Sequence, residues 1–263
     1  NLNFSSPENP IGYWQLAKAC NGLSKACLAL NTPVTGGNVS LYNETRQPNG
    51  TVTPIHPTPV IGMVGLVNNL EKVCKSSWMN KGDSIWLLGD NFQDNESITL
   101  AASSYLEIIH GQVTGRPPQI DLDLECSVQR LLRRSINESY INSAHDLSDG
   151  GFAISLAECC INSNLGAQIK IPETNTRIDK LLFAEGGSRV IISVPSNKYE
   201  SWIQVLNADN QNIPYLHLGY VTEEMNLLIC KENQRVIDIP ISKLNNVFEE
   251  SIPSRIRSGK INR

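Results

Sequence analysis

No uninterrupted apolar run in this chain approaches the roughly 20 residues that a membrane-spanning helix requires. Charge of one sign is missing too: 22 Lys and Arg against 26 Asp and Glu leave a net charge of -4. That balance gives no general electrostatic reason to bind nucleic acid or an anionic membrane. The seven cysteines are odd in number and contain no Cys-x-x-Cys pair, and the four histidines (His56, His110, His145, His217) are scattered. A zinc site needs clustered ligands, so none is expected. Several cysteines sit among apolar residues on expected helices, which reads as reduced thiols in a cytoplasmic protein. No signal-peptide pattern opens the sequence.

What is present is ordinary globular composition over 263 residues, 40% hydrophobic and 18% charged, with a prior of about two domains. Leu16, Cys20, Leu23, Cys27 and Leu30 make one apolar face and predict a helix over 12–30. Apolar strands are predicted over 34–42 and 58–67, joined by a polar loop with an Asn49-Gly50 turn signal. The polar stretch 68–82 reads as a linker. A second block comes next, with strands at 83–90, "INSAHD", "GAQIKI", "RVIISV", "PYLHLGYV", "NLLIC" and "RVIDI". Helices are predicted at 98–110, 122–136, 151–160, 198–208 and 242–250, and the basic tail is expected to be solvated and disordered. The expected fold class is α/β, of the α+β type. Its divisions are 1–80, 81–250 and a tail over 251–263. The sequence does not begin with Met, and "NLNF" looks like the end of a strand, so a piece of a longer polypeptide is expected.

"TPVTGGNVSLYNET" carries two glycines inside an expected strand, where glycine packs nothing and costs backbone entropy. Strand alternation points Asn38, Ser40 and Tyr42 one way and Val39 and Leu41 the other, toward a core. Bare backbone N–H groups at Gly36 and Gly37 suit a phosphate, Asn38 can offer an oxygen to Mg²⁺, and Ser40 can donate to a phosphate oxygen. A bulge with a solvated polar face is the plainer alternative. "AHDLSDGGFAISLAE" ends a strand in His145-Asp146 and opens a helix at Gly150-Gly151. Such a terminus can hold an anion, with Asp146 balancing it through Mg²⁺, or can simply be capped by Ser148 or Asp149. His145 reads as a general base or as a structural hydrogen bonder. "FAEGGSRVIISV" places Glu185 and two glycines before an internal strand, either beside a ligand or as a turn with a Glu–Arg pair.

These words, with "NLNF..PENP..YWQL" and "PTPVIGMVGLV", resemble the large-subunit family of phosphoribosylformylglycinamidine synthase over about 1–194, and the remainder is compatible. The resemblance implies the end of a synthetase-superfamily N-terminal domain followed by a complete C-terminal α/β domain. It implies an ATP-dependent carbon–nitrogen ligase of purine biosynthesis with glutamine as amide donor. Formylglycinamide ribonucleotide would become formylglycinamidine ribonucleotide, using ATP and Mg²⁺. A glutaminase subunit would supply ammonia, and a small third subunit would bridge the two.

By the same resemblance Gly37 is an ATP contact, Asn38 a Mg²⁺ ligand and Ser40 a substrate contact. Asp146 and Ser148 match a Mg²⁺ ligand and a nucleotide contact of long single-chain relatives. No catalytic residue is assigned, because the family's catalytic histidines lie in the first half of the subunit. The family's ATP-contacting Asp would immediately precede Asn1. "NFSSP" stands where the family has "NFGNP", and 101–105 departs from its Gly-Gly-Ser-Glu-Tyr. A non-catalytic module that holds nucleotide to stabilise the fold is the alternative.

Overall fold

The computed structural model describes residues 1–89, 92, 98–208, 212–232 and 234–258. The chain divides into two compact units, Asn1–Asn68 and Asn69–Arg263.

In the first unit, β1 (Leu2–Asn3) precedes α1 (Pro10–Ala29). Asn9 starts the helix: its side chain accepts from the Ile11 N–H at 2.9 Å, and Pro10 comes next, where its missing N–H is no loss. β2 (Val39–Ser40), β3 (Glu44–Arg46), β4 (Val52–Pro54) and β5 (Thr58–Pro59) complete the unit. β1 is the centre of a three-stranded sheet of order β2-β1-β5, parallel to β2 and antiparallel to β5. β3 and β4 form a hairpin around Gly50, whose φ of 83° meets the turn's need for a left-handed residue.

The expected strands 34–42 and 58–67 shrink to two residues each. A strand exists only where a neighbour pairs with it, and β1 offers two residues. The apolar alternation therefore buries little. Val39, expected in a core, is 56% exposed, and Val64 and Leu66 are fully open to solvent. Phe4 is the buried hydrophobe of this unit, and of the predicted helical face Cys20 is exposed while Leu16, Leu23, Cys27 and Leu30 are half-buried.

The second unit is built on a seven-stranded sheet. Its elements in chain order are β6 (Ser84–Gly89), α2 (Ser104–His110), α3 (Leu122–Asn137), β7 (Ser143–Asp146), α4 (Gly151–Ser163) and β8 (Gly166–Ile171). After them come α5 (Ile178–Phe183), β9 (Arg189–Val194), α6 (Tyr199–Ala208), β10 (Tyr215–Thr222), β11 (Asn226–Lys231), β12 (Gln234–Pro240) and α7 (Ile241–Ser258). The sheet order is β12-β11-β8-β10-β6-β9-β7, with only the β8–β11 pair parallel.

Alternation along β6 sorts its residues into two cores. Ile85 and Leu87 pack with Phe152, Leu156, Leu181, Leu182 and Ile241 from α4, α5 and α7. Trp86 and Leu88 pack with Val128, Leu131, Trp202 and Val205 from α3 and α6. Every residue of β6 is buried, as a strand covered on both faces should be.

Several expectations need correction. The stretch read as a linker joins the second unit: Trp78 is 3% exposed and its indole N–H donates to Cys160 Sγ at 3.4 Å. The helix predicted at 98–110 begins at Ser104, where Ser103 caps it by accepting from Leu106 N–H. α7 runs to Ser258 through Pro253, so the expected tail is helical that far. Asp90, the last residue of the strand predicted over 83–90, and residues 259–263 lie outside the described residues.

Candidate functional site

Pairing with β1 fixes the Asn38–Ser40 segment. Leu2 N–H donates to Asn38 O at 2.8 Å, and Phe4 N–H to Ser40 O at 3.0 Å. The register is regular, Leu2 opposite Val39 and Asn3 opposite Ser40, so the pairing contains no bulge. Asn38 and Ser40 therefore lie on one side, close enough for Asn38 Nδ2 to donate to Ser40 Oγ at 2.9 Å. The same amide reaches Asn1 Oδ1 at 3.5 Å. Asn38 is exposed, and its Oδ1 accepts no hydrogen bond among the described residues, which leaves a hard oxygen donor available. The alternation ends there: Tyr42 turns left-handed at φ 60° and its hydroxyl donates to Glu8 Oε1 at 3.2 Å.

Neither glycine is demanded by the unit's own packing. Gly36 and Gly37 are not among the positive-φ residues. A Cβ built at Gly36 meets nothing within 4 Å, and one at Gly37 meets only Asn1 N at 3.9 Å. Beside them opens a cavity of about 820 Å³, walled by Cys20, Leu23 and Cys27 of α1 and by residues 33–39. That volume suits a nucleotide-sized ligand. Gly37 and Asn38 line it, and Ser40 stands just outside. The helical periodicity of Cys20, Leu23 and Cys27 foreshadows the apolar wall, although periodicity alone predicts that such a face packs rather than lines a space.

A Mg²⁺ ion takes one or two protein oxygens and completes its shell with phosphates and water. Asn38 Oδ1 fits that demand as a single neutral ligand. Among the described residues no group of three or more His, Cys, Asp or Glu comes together as a metal cage.

In the second unit, Leu147 is buried, and Asp146, Ser148 and Asp149 on either side of it are exposed. His145 is 11% exposed in its side chain and fully engaged: Nε2 lies 3.0 Å from Glu158 Oε2, and Nδ1 lies 2.6 Å from Asp146 O. It is a structural hydrogen bonder joining β7 to α4. Gly150, the residue just before α4, has no side chain with which to cap it. The bond expected from Ser148 or Asp149 is replaced by one from a distant residue, Glu185, whose Oε1 accepts from Gly150 N–H at 2.8 Å. Arg189 is buried, and its Nη2 donates to Ala184 O at 2.8 Å. None of the seven cysteines is joined in a disulfide. Burial pushes Cys160 up to about 11 and Cys159 further, so neither is a thiolate at neutral pH.

The profile of the family described as "AIR synthase related protein, C-terminal domain" matches residues 80–228. The "Phosphoribosylformylglycinamidine synthase subunit PurL" of Prochlorococcus marinus (strain MIT 9313) is 56% identical over 264 aligned residues, covering 97% of this chain and 33% of that protein. The chain thus spans about a third of the length of the curated relatives it matches. Two solved structures share its fold. T. maritima PurL complexed with ADP aligns with a TM-score of 0.61 at 14% identity, over 93% of this chain and 36% of that one. T. maritima PurL complexed with FGAR aligns with a TM-score of 0.60 at 16% identity, over 85% and 36%.

Proposed function

Since the chain belongs to the AIR synthase related protein family, we propose that it works as part of an ATP-dependent synthase in purine biosynthesis. The reaction converts formylglycinamide ribonucleotide and glutamine to formylglycinamidine ribonucleotide. The identity to PurL subunits and the shared fold with PurL bound to ADP and FGAR support this reading. The chain contributes a segment of a longer subunit, which draws ammonia from a glutaminase subunit bridged by a small third one. Its compartment is the cytoplasm; among the described residues no helix is long and apolar enough to cross a membrane.

The observation that carries the assignment of residues is the side-by-side placement of Asn38 and Ser40 on an accessible strand, next to two glycines that nothing in the unit crowds. On this reading the Gly37 main chain contacts ATP, Asn38 Oδ1 holds Mg²⁺, and Ser40 Oγ touches the ribonucleotide. When bound, the ion offsets phosphate charge. The residues of this chain bind and orient. Asp146 and Ser148 are read, as in the long single-chain relatives they match, as a Mg²⁺ ligand and a nucleotide contact.

One observation favours a second reading, a module that holds nucleotide without reacting. The residues that line the cavity include no His, Asp, Glu, Lys or Tyr, which leaves two cysteine thiols as their only acid or base side chains. Asn38→Ala and Ser40→Ala in the full-length subunit separate the two. Formylglycinamidine synthesis should fall at least tenfold, with the melting temperature unchanged. A lower melting temperature with intact synthesis would select the holding module.

A further inference from the structure

Glu185 stands where three segments of the second unit meet. Its backbone N–H donates to Thr99 O at 3.2 Å. Its Oε1 accepts two main-chain N–H groups, Ser104 at 2.9 Å and Gly150 at 2.8 Å. Ser104 is the first residue of α2, and Gly150 is the left-handed residue that opens α4 at φ 78°. Both donors belong to helix starts, whose N–H groups have no partner within their own helix. An ionised carboxylate is a stronger acceptor for them than a neutral group.

The turn at Gly150-Gly151 is also held by shape. Gly151 has φ 67°, and a Cβ there would lie 2.5 Å from Ala184 O, the residue next to Glu185. The segment carrying Glu185 therefore meets this turn with its main chain and its side chain together. Asp146 lies four residues before Gly150 and Ser148 two, both exposed around the buried Leu147. Hydrogen bonds reach this loop at both ends: Leu147 N–H donates to Arg189 O at 3.1 Å, and Gly150 N–H to Glu185.

We propose that Glu185 is a positioning residue for nucleotide binding. By fixing Gly150 it sets where Asp146 and Ser148 project, and it couples that loop to the start of α2. The inference rests on the assignment of Asp146 and Ser148 to a nucleotide contact. It adds a residue on a separate segment that acts through main chain alone.

The test uses the full-length subunit with Glu185→Gln, Glu185→Ala and Asp146→Asn. ATP affinity is measured by calorimetry, and amide hydrogen exchange is followed on peptides covering 99–104 and 147–151. Glu185→Ala should speed exchange in both peptides and weaken ATP binding about tenfold, a loss of about 1.4 kcal/mol. Glu185→Gln keeps an acceptor oxygen and should recover part of both effects; it also stands in if the Ala variant fails to fold. Faster exchange with unchanged ATP affinity in both variants would make Glu185 purely structural and overturn the proposal. Wild-type ATP affinity in Asp146→Asn would instead overturn the nucleotide assignment of the loop, and the proposal with it.

Discussion

Two glycines with open space around them are the residues on which the functional reading turns. Glycine is usually kept where φ is positive or a neighbour is close, and Gly36 and Gly37 show neither within this unit. Their substitution should therefore separate fold from function. Gly36→Ala and Gly37→Ala are expected to leave stability unchanged or raise it by up to about 1 kcal/mol, through the lower entropy of the unfolded chain. ATP affinity should fall, because a methyl group then stands where the ligand meets the main chain. Paired thermal melts and calorimetry check both halves. His217 offers a second test at this scale. Its ring lies 4.7 Å from Trp86 and 5.0 Å from Tyr220, and its Nε2 is buried with no hydrogen-bond partner among the described residues. Burial lowers its pKa. The unfolded chain therefore takes up the proton first, and stability is lost as pH falls below about 6.5. Melting curves between pH 7 and 5 should show that loss, and His217→Phe should flatten it.

Among the elements, β6 and β9 carry the second unit, and Gly89 shows how closely the end of β6 approaches the turn before β9. It has φ 90°, and an added Cβ would lie 1.7 Å from Ser188 O. Gly89→Ala should cost about 3 kcal/mol or more, read from chemical denaturation. These strands are legible in the sequence because both cores are assembled within the unit, so apolar runs such as "RVIISV" can be read directly. α5 escapes sequence reading because six residues give too little periodicity to detect. Residues 98–103 look helical by composition, yet Ser103 caps α2 and Ala102 takes a left-handed φ of 55°, which ends any helix there. The stretch 68–82 resembles a linker because it is mostly polar, although the buried Trp78 and the pairing of Lys75 with β7 anchor it to the second unit. In the candidate site, alternation places Asn38 and Ser40 on one face. The same rule fails for Val39, whose burial depends on a layer that β1 and α1 do not supply. No local pattern announces the Glu185 bonds, since they join residues distant in sequence.

Across the whole molecule, the two units bury their apolar residues very differently. The second closes two cores around its sheet, whereas the first exposes Met63, Val64, Leu66 and Val67 in succession. A chain that spans about a third of its curated relatives' length, and that joins a PurL-type subunit as proposed, gives that difference a simple physical meaning. The site on the first unit would then act only in the company of the remaining subunit. On this reading Asn38 Oδ1 supplies an oxygen ligand to a Mg²⁺-bound nucleotide. The most direct test is ATP binding to the full-length subunit, titrated against Mg²⁺, for the wild type and Asn38→Ala. Mg²⁺ should strengthen ATP binding in the wild type, and this gain should shrink at least tenfold in the variant. An identical Mg²⁺ dependence in both proteins would contradict it.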